Sequence, residues 1–265
     1  MSSARRVSLE PAFLLHHYPW RDTSRILELL TRSHGRVSVI ARGSRQSAAA
    51  SGGVLQAFTA CLVSWSARGE MGYLTGAERA YSSATSSAPA GEVARSAGEG
   101  SALRGERLMS GFYANELLLK LLQRNDPHPA LFAAYATLLE RLHAPVEDAS
   151  RALRIFEKRL LDELGWGLNL EHEAASGAPL EPGRSYRYGL EGGAEPLDGV
   201  AEGTLIFCGA SLLSLARERL DDPRSLADAR RLLRAALDRL LDGRPLRTRE
   251  VLLEMRAHAG RADGG

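Results

Sequence analysis

Arginine is the residue type on which the chemistry of this chain turns. Of its 34 Lys+Arg, all but Lys120 and Lys158 are arginine. Ten of the arginines, with no lysine and five carboxylates, fall in residues 1–82. That segment carries about +5 in a chain of net charge +2, so residues 83–265 sum to about −3. A GC-rich coding composition would also favour arginine over lysine, but the physical consequence is the same. Guanidinium grips phosphate with two parallel N–H donors and stacks on planar bases, which ammonium cannot do. A small basic region on a mildly acidic remainder therefore points to polyanion binding, with nucleic acid as the polyanion.

Single-strand binders need cations along a groove and aromatic faces for bases. Arg21, Arg25, Arg36, Arg42 and Arg45 fall at expected strand ends and loops of the basic segment. Tyr18, Trp20 and Phe58 could supply the faces, although Phe58 also fits a core and Trp20 a rim. Arg42 and Arg45, in the glycine- and serine-rich loop 42–53, are the strongest phosphate candidates; Arg5 and Arg6 read as a loose basic start. A second run, Arg244, Arg247 and Arg249, suits DNA contact or, more simply, compensation of a helix dipole.

Enzyme chemistry finds no foothold. There is no phosphate-cradling loop with a Lys-Ser/Thr partner, no dinucleotide fingerprint and no His-Glu-x-x-His. The carboxylate pairs Asp221/Asp222 and Glu171/Glu173 read as helix caps and solvated charges. No catalytic residue, cofactor or metal is expected. Cys61 and Cys208 read as buried free thiols rather than a disulfide framework. No apolar run approaches the ~20 residues of a membrane span, and the first residues lack a signal-peptide core. A cytoplasmic location is expected.

The elements that must position these side chains change type along the chain. Five β-like runs, roughly Arg6–His16, Ser24–Leu30, Arg36–Ala41, Val54–Trp65 and Met71–Tyr81, suggest a small OB-type barrel over 1–81. A polar stretch at 82–100 reads as a linker. Helical periodicity then runs through an expected domain at 101–256, broken by a small β insert at about 168–208, and 257–265 reads as a flexible tail. The fold class is α+β: an N-terminal five-stranded barrel, then an α-helical domain with a metal-free insert. On the third helix Leu153, Phe156 and Leu160 form an apolar stripe, with Arg154 and Lys158 expected on its exposed flank. Such a groove suits a short acidic-aromatic peptide with a free carboxylate, though Phe156 also fits as core.

Several segments, in order, resemble the RecO family of bacterial recombination and repair mediators. They are Phe13-Leu-Leu-His-His-Tyr-Pro-Trp-Arg-Asp-Thr-Ser24 with Thr31 and Gly35-Arg36, then Ala41-Arg-Gly-Ser-Arg45 and Leu55-Gln-Ala-Phe58. Gly111-Phe-Tyr-Ala-Asn-Glu-Leu-Leu118, Leu153-Arg-Ile-Phe-Glu157 leading to Leu164-Gly-Trp-Gly167, and Gly243-Arg-Pro-Leu-Arg-Thr-Arg249 follow. Many members carry a zinc-ribbon-like cysteine cluster after Leu-Gly-Trp-Gly; here that stretch has no cysteine, and His172 alone cannot hold zinc. The resemblance implies a non-enzymatic, nucleoid-associated mediator of DNA repair, DNA recombination and the DNA-damage response. It implies binding to single-stranded and also double-stranded DNA, and strand annealing. The implied partners are the C-terminal tail of single-stranded DNA-binding protein, met by Arg154, Phe156 and Lys158, a RecR-like mediator and, indirectly, a RecA-like recombinase. An RNA-binding barrel and a protein-interaction scaffold remain as alternatives.

Overall fold

The computed structural model describes residues 5–42, 54–67, 71–80, 103–146, 148–197 and 205–262, with side chains through Glu254. The expected linker at 82–100, the loop residue Arg45 and residues 263–265 lie outside the described residues.

Alternation of apolar and polar residues builds the first element group. Strands β1 (Arg5–Trp20), β2 (Ser24–Thr31), β3 (Gly35–Ala41), β4 (Ala60–Ala67) and β5 (Gly72–Arg79) close a barrel in the order β1-β2-β3-β5-β4. One residue in two points inward, so Leu14, Leu27, Leu29, Val37, Val39, Cys61, Val63 and Trp65 fill the interior. β1 pairs with β4 through its first half and with β2 through its second. Two irregularities let it turn that corner, since an extra residue kinks a strand and sharpens its twist. The first is between Val7 and Glu10, where Leu9 has φ 51° and donates its N–H to Ser64 Oγ at 3.0 Å. The second is between Leu14 and His16. Closure rests on a short parallel seam, Val39 opposite Gly72 and Ile40 opposite Tyr73. Gly72 has no room for a side chain, because a Cβ would sit 2.7 Å from the Trp65 ring.

Residues 54–59 depart from the expected fourth strand, which begins only at Ala60. Phe58 has φ 66°, outside the β region, and its ring lies where a Cβ on Gly111 would be, 2.8 Å away. Packing on a helix has replaced strand pairing. Arg5 and Arg6 are not a loose start either: they pair with Ala67 and Ser66 in β1.

The chain divides into two compact units. One comprises Met1–Pro145 and Leu246–Gly265, the other Val146–Pro245. The division by packing thus crosses the division by element type, since three helices join the barrel's unit. These are α1 (Gly105–Leu121), α2 (Pro129–His143) and α6 (Arg247–Ala262), the last running past the 256 expected from its sequence. Leu15, left out of the β1–β2 pairing, is buried, and its carbonyl accepts from Asn115 Nδ2 at 2.9 Å. Tyr135 donates its hydroxyl to Asn115 Oδ1, and burial pushes that phenol's pKa up. Phe13 lies 5.1 Å from the rings of both Phe132 and Tyr135. Arg107 closes the C-terminus of α2 by donating to the carbonyls of Arg141, Leu142, Ala144 and Pro145. Glu116 receives the start of α6: its carboxylate accepts the N–H groups of Arg247 and Thr248, both at 2.9 Å, and the Thr248 hydroxyl at 2.7 Å.

The second unit holds α3 (Ala149–Glu163), a sheet ordered β7-β6-β8, α4 (Gly209–Ala216) and α5 (Pro223–Leu241). The strands are β6 (Ser185–Gly189), β7 (Gly193–Pro196) and β8 (Ile206–Cys208). Asp148 caps α3 and Asp222 caps α5, each accepting backbone N–H groups of its first turn. Tyr186, Tyr188 and Phe207 bury the inner face of the small sheet, and Arg231 covers Phe207 at 4.8 Å. His172 is exposed, and among the described residues no group of three or more His, Cys, Asp or Glu could hold a metal ion. Cys61 is buried, its thiol pKa pushed up to about 12 by desolvation, whereas Cys208 is only half-buried. No described helix is long and apolar enough to cross a membrane.

Candidate nucleic-acid interface

Since Leu27, Leu29, Val37 and Val39 point into the barrel, their alternates point out. Outward on β1 stand His16, Tyr18 and Trp20, paired across to Glu28, Ile26 and Ser24 of β2. Tyr18 and Trp20 keep 46% and 41% of their surface, enough to offer ring faces. His16 meets Tyr18 edge-on at 4.5 Å and lies stacked 6.1 Å from His17. Burial, and then His17, hold the His16 imidazole below its usual range, against the pull of Glu28.

The predicted arginines divide into three kinds. Arg21, Arg25 and Arg42 are exposed and form no ion pair among the described residues. Arg21 lies 6.0 Å from the Trp20 ring, and Arg42 lies 4.5 Å over the Tyr73 ring. Arg36 is of the second kind. Its guanidinium is turned inward, donating to the Leu119 carbonyl, with Nε 3.7 Å from buried Glu28. Arg124 and Ser38 complete that cluster, donating to Glu28 Oε1 at 2.9 and 2.7 Å. A carboxylate that is 97% covered needs such partners, so Arg36 is held as a structural counter-charge rather than a free strand-end cation. Arg45 lies outside the described residues.

The C-terminal run is split. Arg244 belongs to the second unit and donates Nε to the Leu241 carbonyl at 2.9 Å, closing α5. Arg247 and Arg249 belong to the first unit; Arg249 donates to the Tyr113 hydroxyl at 3.2 Å and stacks 5.6 Å from that ring. Phe58, offered as a stacking face, is half-buried and meets Phe112 edge-on at 5.0 Å.

The expected exposed flank of α3 is not there. Residues 152–157 are buried without a break, and Arg154 points its Nη1 at Glu157 Oε2, 2.8 Å away. The turn of helix that puts Phe156 in the core also carries this pair inside, where neither charge is tolerable alone. Lys158 keeps some surface and bridges Asp162 at 3.0 Å and Glu218 at 3.7 Å.

Two residues that composition alone did not single out join the exposed set. Tyr73 keeps 41% of its surface, and Arg6 stands on the same outward row, linked through Ser66 across β5, β4 and β1. Their signal was the alternation itself: Leu74 points inward, so Tyr73 points outward.

A closed five-stranded barrel with an exposed arginine–aromatic face, followed by helices and a small sheet, defines an α+β protein of the OB-barrel class. Sequence comparison narrows the class. The profile described as Recombination protein O N terminal matches residues 6–82, and that described as Recombination protein O C terminal matches residues 103–250. The chain belongs to the RecO family. It is 39% identical over 255 residues to the DNA repair protein RecO of Aromatoleum aromaticum, covering 96% of this chain and 99% of the relative. It is 41% identical over 248 residues to that of Coxiella burnetii, covering 94% and 99%. Against that of Nitrosococcus oceani it is 41% identical over 257 residues, covering 95% of each.

Proposed function

We propose that this protein acts in DNA repair and homologous recombination as a non-enzymatic mediator whose barrel binds single-stranded DNA. The observation that carries the proposal is the exposed barrel surface, where Arg21 lies near Trp20 and Arg42 over Tyr73, with Tyr18 and Arg25 exposed as well and no carboxylate paired to these arginines among the described residues. Phosphates are drawn to the cations, and unstacked bases to the rings. Arg45 extends the same loop in sequence, and Arg247 and Arg249 of the first unit and, separately, Arg244 of the second are proposed as further contacts, extending to double-stranded DNA.

The partner side of the proposal rests on family membership. A C-terminal tail of single-stranded DNA-binding protein would dock on the second unit. Lys158 would meet its carboxylate in competition with Asp162 and Glu218, and Arg154 and Phe156 would support that helix from beneath. A RecR-like partner, loading of a RecA-like recombinase, strand annealing and a cytoplasmic, nucleoid-associated location follow in the same way. Contact with both coat protein and strand would let coated DNA be exchanged.

The test is anisotropy of a labelled single-stranded oligonucleotide over a salt series, with Arg42→Ala/Arg45→Ala beside the parent. The expected result is a clear log–log salt slope that the double variant flattens by about 1–2. Tighter binding to RNA of the same sequence would favour the RNA-binding alternative. Absence of binding at physiological salt would leave a protein-interaction scaffold.

A further inference from the structure

We propose that a cleft at one end of the barrel is a single-nucleotide pocket that makes the barrel prefer unpaired DNA, with Tyr73 as the base platform and Arg6 and Arg42 as the phosphate clamp. The inference rests on the barrel being the DNA-binding surface and goes beyond it in naming where strandedness is read.

The cleft has a volume of about 630 Å³ and is lined by Arg6, Val7, Ser8, Arg42, Trp65, Ser66, Tyr73 and Thr75. That volume is within the range of pockets that enclose one small ligand. The lining holds two guanidinium groups, two aromatic rings, three serine or threonine hydroxyls besides the Tyr73 phenol, and no carboxylate. Such a set attracts an anion that also carries a flat apolar surface, which is the chemistry of a nucleotide.

Geometry assigns the roles. The start of β1, the ends of β3 and β4 and the start of β5 meet here, with Arg6 opposite Ser66, Ser66 opposite Tyr73 and Tyr73 opposite Ile40. Trp65 lines the cleft from the buried, inner side of the barrel wall, and Tyr73 from its exposed, outer side. Arg42 lies with its Cζ 4.5 Å from the Tyr73 centroid. A guanidinium laid on a ring uses its face for the ring, and its N–H edge stays available for phosphate oxygens. Arg6 is exposed on β1, separated from Tyr73 on β5 by Ser66 of β4, and forms no ion pair among the described residues. One phosphate bridged by the two arginines would bring its base to Tyr73 and its sugar to the serine and threonine hydroxyls.

Strand selectivity follows from the ring. Phosphates of a duplex can reach the arginines, but its bases remain paired and stacked on each other. Only an unpaired base can turn onto Tyr73.

The test compares affinities of the full chain and its Tyr73→Leu, Tyr73→Phe and Arg6→Ala variants for single-stranded and duplex oligonucleotides of one sequence. Tyr73→Leu is expected to weaken single-strand binding about tenfold and leave duplex binding within about twofold. Tyr73→Phe should match the parent, and Arg6→Ala should lower the single-strand salt slope by about 1. If Tyr73→Leu and Arg6→Ala both bind as the parent does, the pocket is overturned while the barrel reading stands. If Tyr73→Leu weakens single strand and duplex equally, the ring only supports Arg42 and the selectivity claim falls. If the parent binds no single strand, the barrel reading fails, and the pocket with it.

Discussion

The exposed arginines of the barrel and the paired arginines of the second unit put the same cation to opposite uses. On the barrel, Arg6, Arg21, Arg25 and Arg42 are exposed, lie near tyrosine or tryptophan rings or along strand ends, and have no ion pair among the described residues. In the second unit several arginines are matched to carboxylate: Arg151 with Asp221 at 2.9 Å, Arg154 with Glu157 at 2.8 Å, Arg159 with Glu218 at 2.6 Å, Arg184 with Glu173 at 3.5 Å. Arg239 meets Glu191 there as well, while Arg187, Arg217, Arg219 and Arg224 stay exposed. A neutralised guanidinium no longer projects a field, whereas an unpaired one at the surface does. What makes a surface attract polyanions is therefore the local shortage of carboxylates, not the number of arginines.

The sharpest way to break this contrast is inside α3. Arg154→Met leaves the fully buried Glu157 without its guanidinium and should cost about 3–5 kcal/mol in urea unfolding. The double variant Arg154→Met/Glu157→Leu should recover most of that, since an apolar pair needs no desolvation. A double variant as unstable as the single would mean that the pair is not the reason for the cost.

The barrel's corresponding weak points are steric. Gly35 has φ 66°, and a Cβ there would fall 1.8 Å from the Asp126 carbonyl oxygen, where the β2–β3 turn meets the turn after α1. Gly35→Ala should cost about 2–3 kcal/mol and lower Tm, with DNA affinity unchanged at temperatures where the variant is folded.

Glu116 offers a smaller, pH-dependent test within the first unit. Burial pushes its pKa up, but the two N–H groups, the Thr248 hydroxyl and Lys120 outweigh that and hold it below its usual 4.5. A carboxylate with a depressed folded pKa contributes stability that is complete above its unfolded value and is lost as pH falls through the folded one. Glu116→Gln should therefore lower the unfolding free energy at pH 7 by about 1–2 kcal/mol and differ progressively less from the parent below about pH 4.5.

The smallest stability effect belongs to the barrel cations. Arg21→Ala/Arg25→Ala should change unfolding free energy by less than about 0.5 kcal/mol while weakening single-strand binding several-fold and flattening its salt slope by about 1–2. A large stability loss would show that these arginines are structural, like Arg36, and would erase the contrast.

Much of this architecture could be read from residue order. Alternation placed β2 and β3 within a residue or two, and leucine spacing with the stop at Asp242-Gly243 placed the helices. What escaped was whatever depends on a partner distant in sequence. Phe58 is apolar and sits in an apolar run, so nothing local reveals its contact with Gly111. Arg36 looks like Arg42 until Glu28 and Leu119 are brought beside it. The i, i+4 spacing of Arg154 and Lys158 suggests a shared flank, but unbroken burial from 152 to 157 made the i, i+3 spacing to Glu157 decisive. Tyr73 was overlooked for the opposite reason. Its phase against Leu74 was visible, but a single tyrosine in a short strand carries no signal until Arg42 lies on it.

The β3–β5 seam has a consequence for how this molecule fails. Among the described residues two pairs hold it, against seven between β2 and β3. Thermal fluctuations will part the barrel there before its hairpins separate, so the amides of Val39 to Tyr73 across the seam should lose hydrogen-exchange protection first. An opened seam presents two bare strand edges, each a template for another chain. Loss of soluble protein on warming should then depend on concentration at temperatures where the hairpins and helices are still intact.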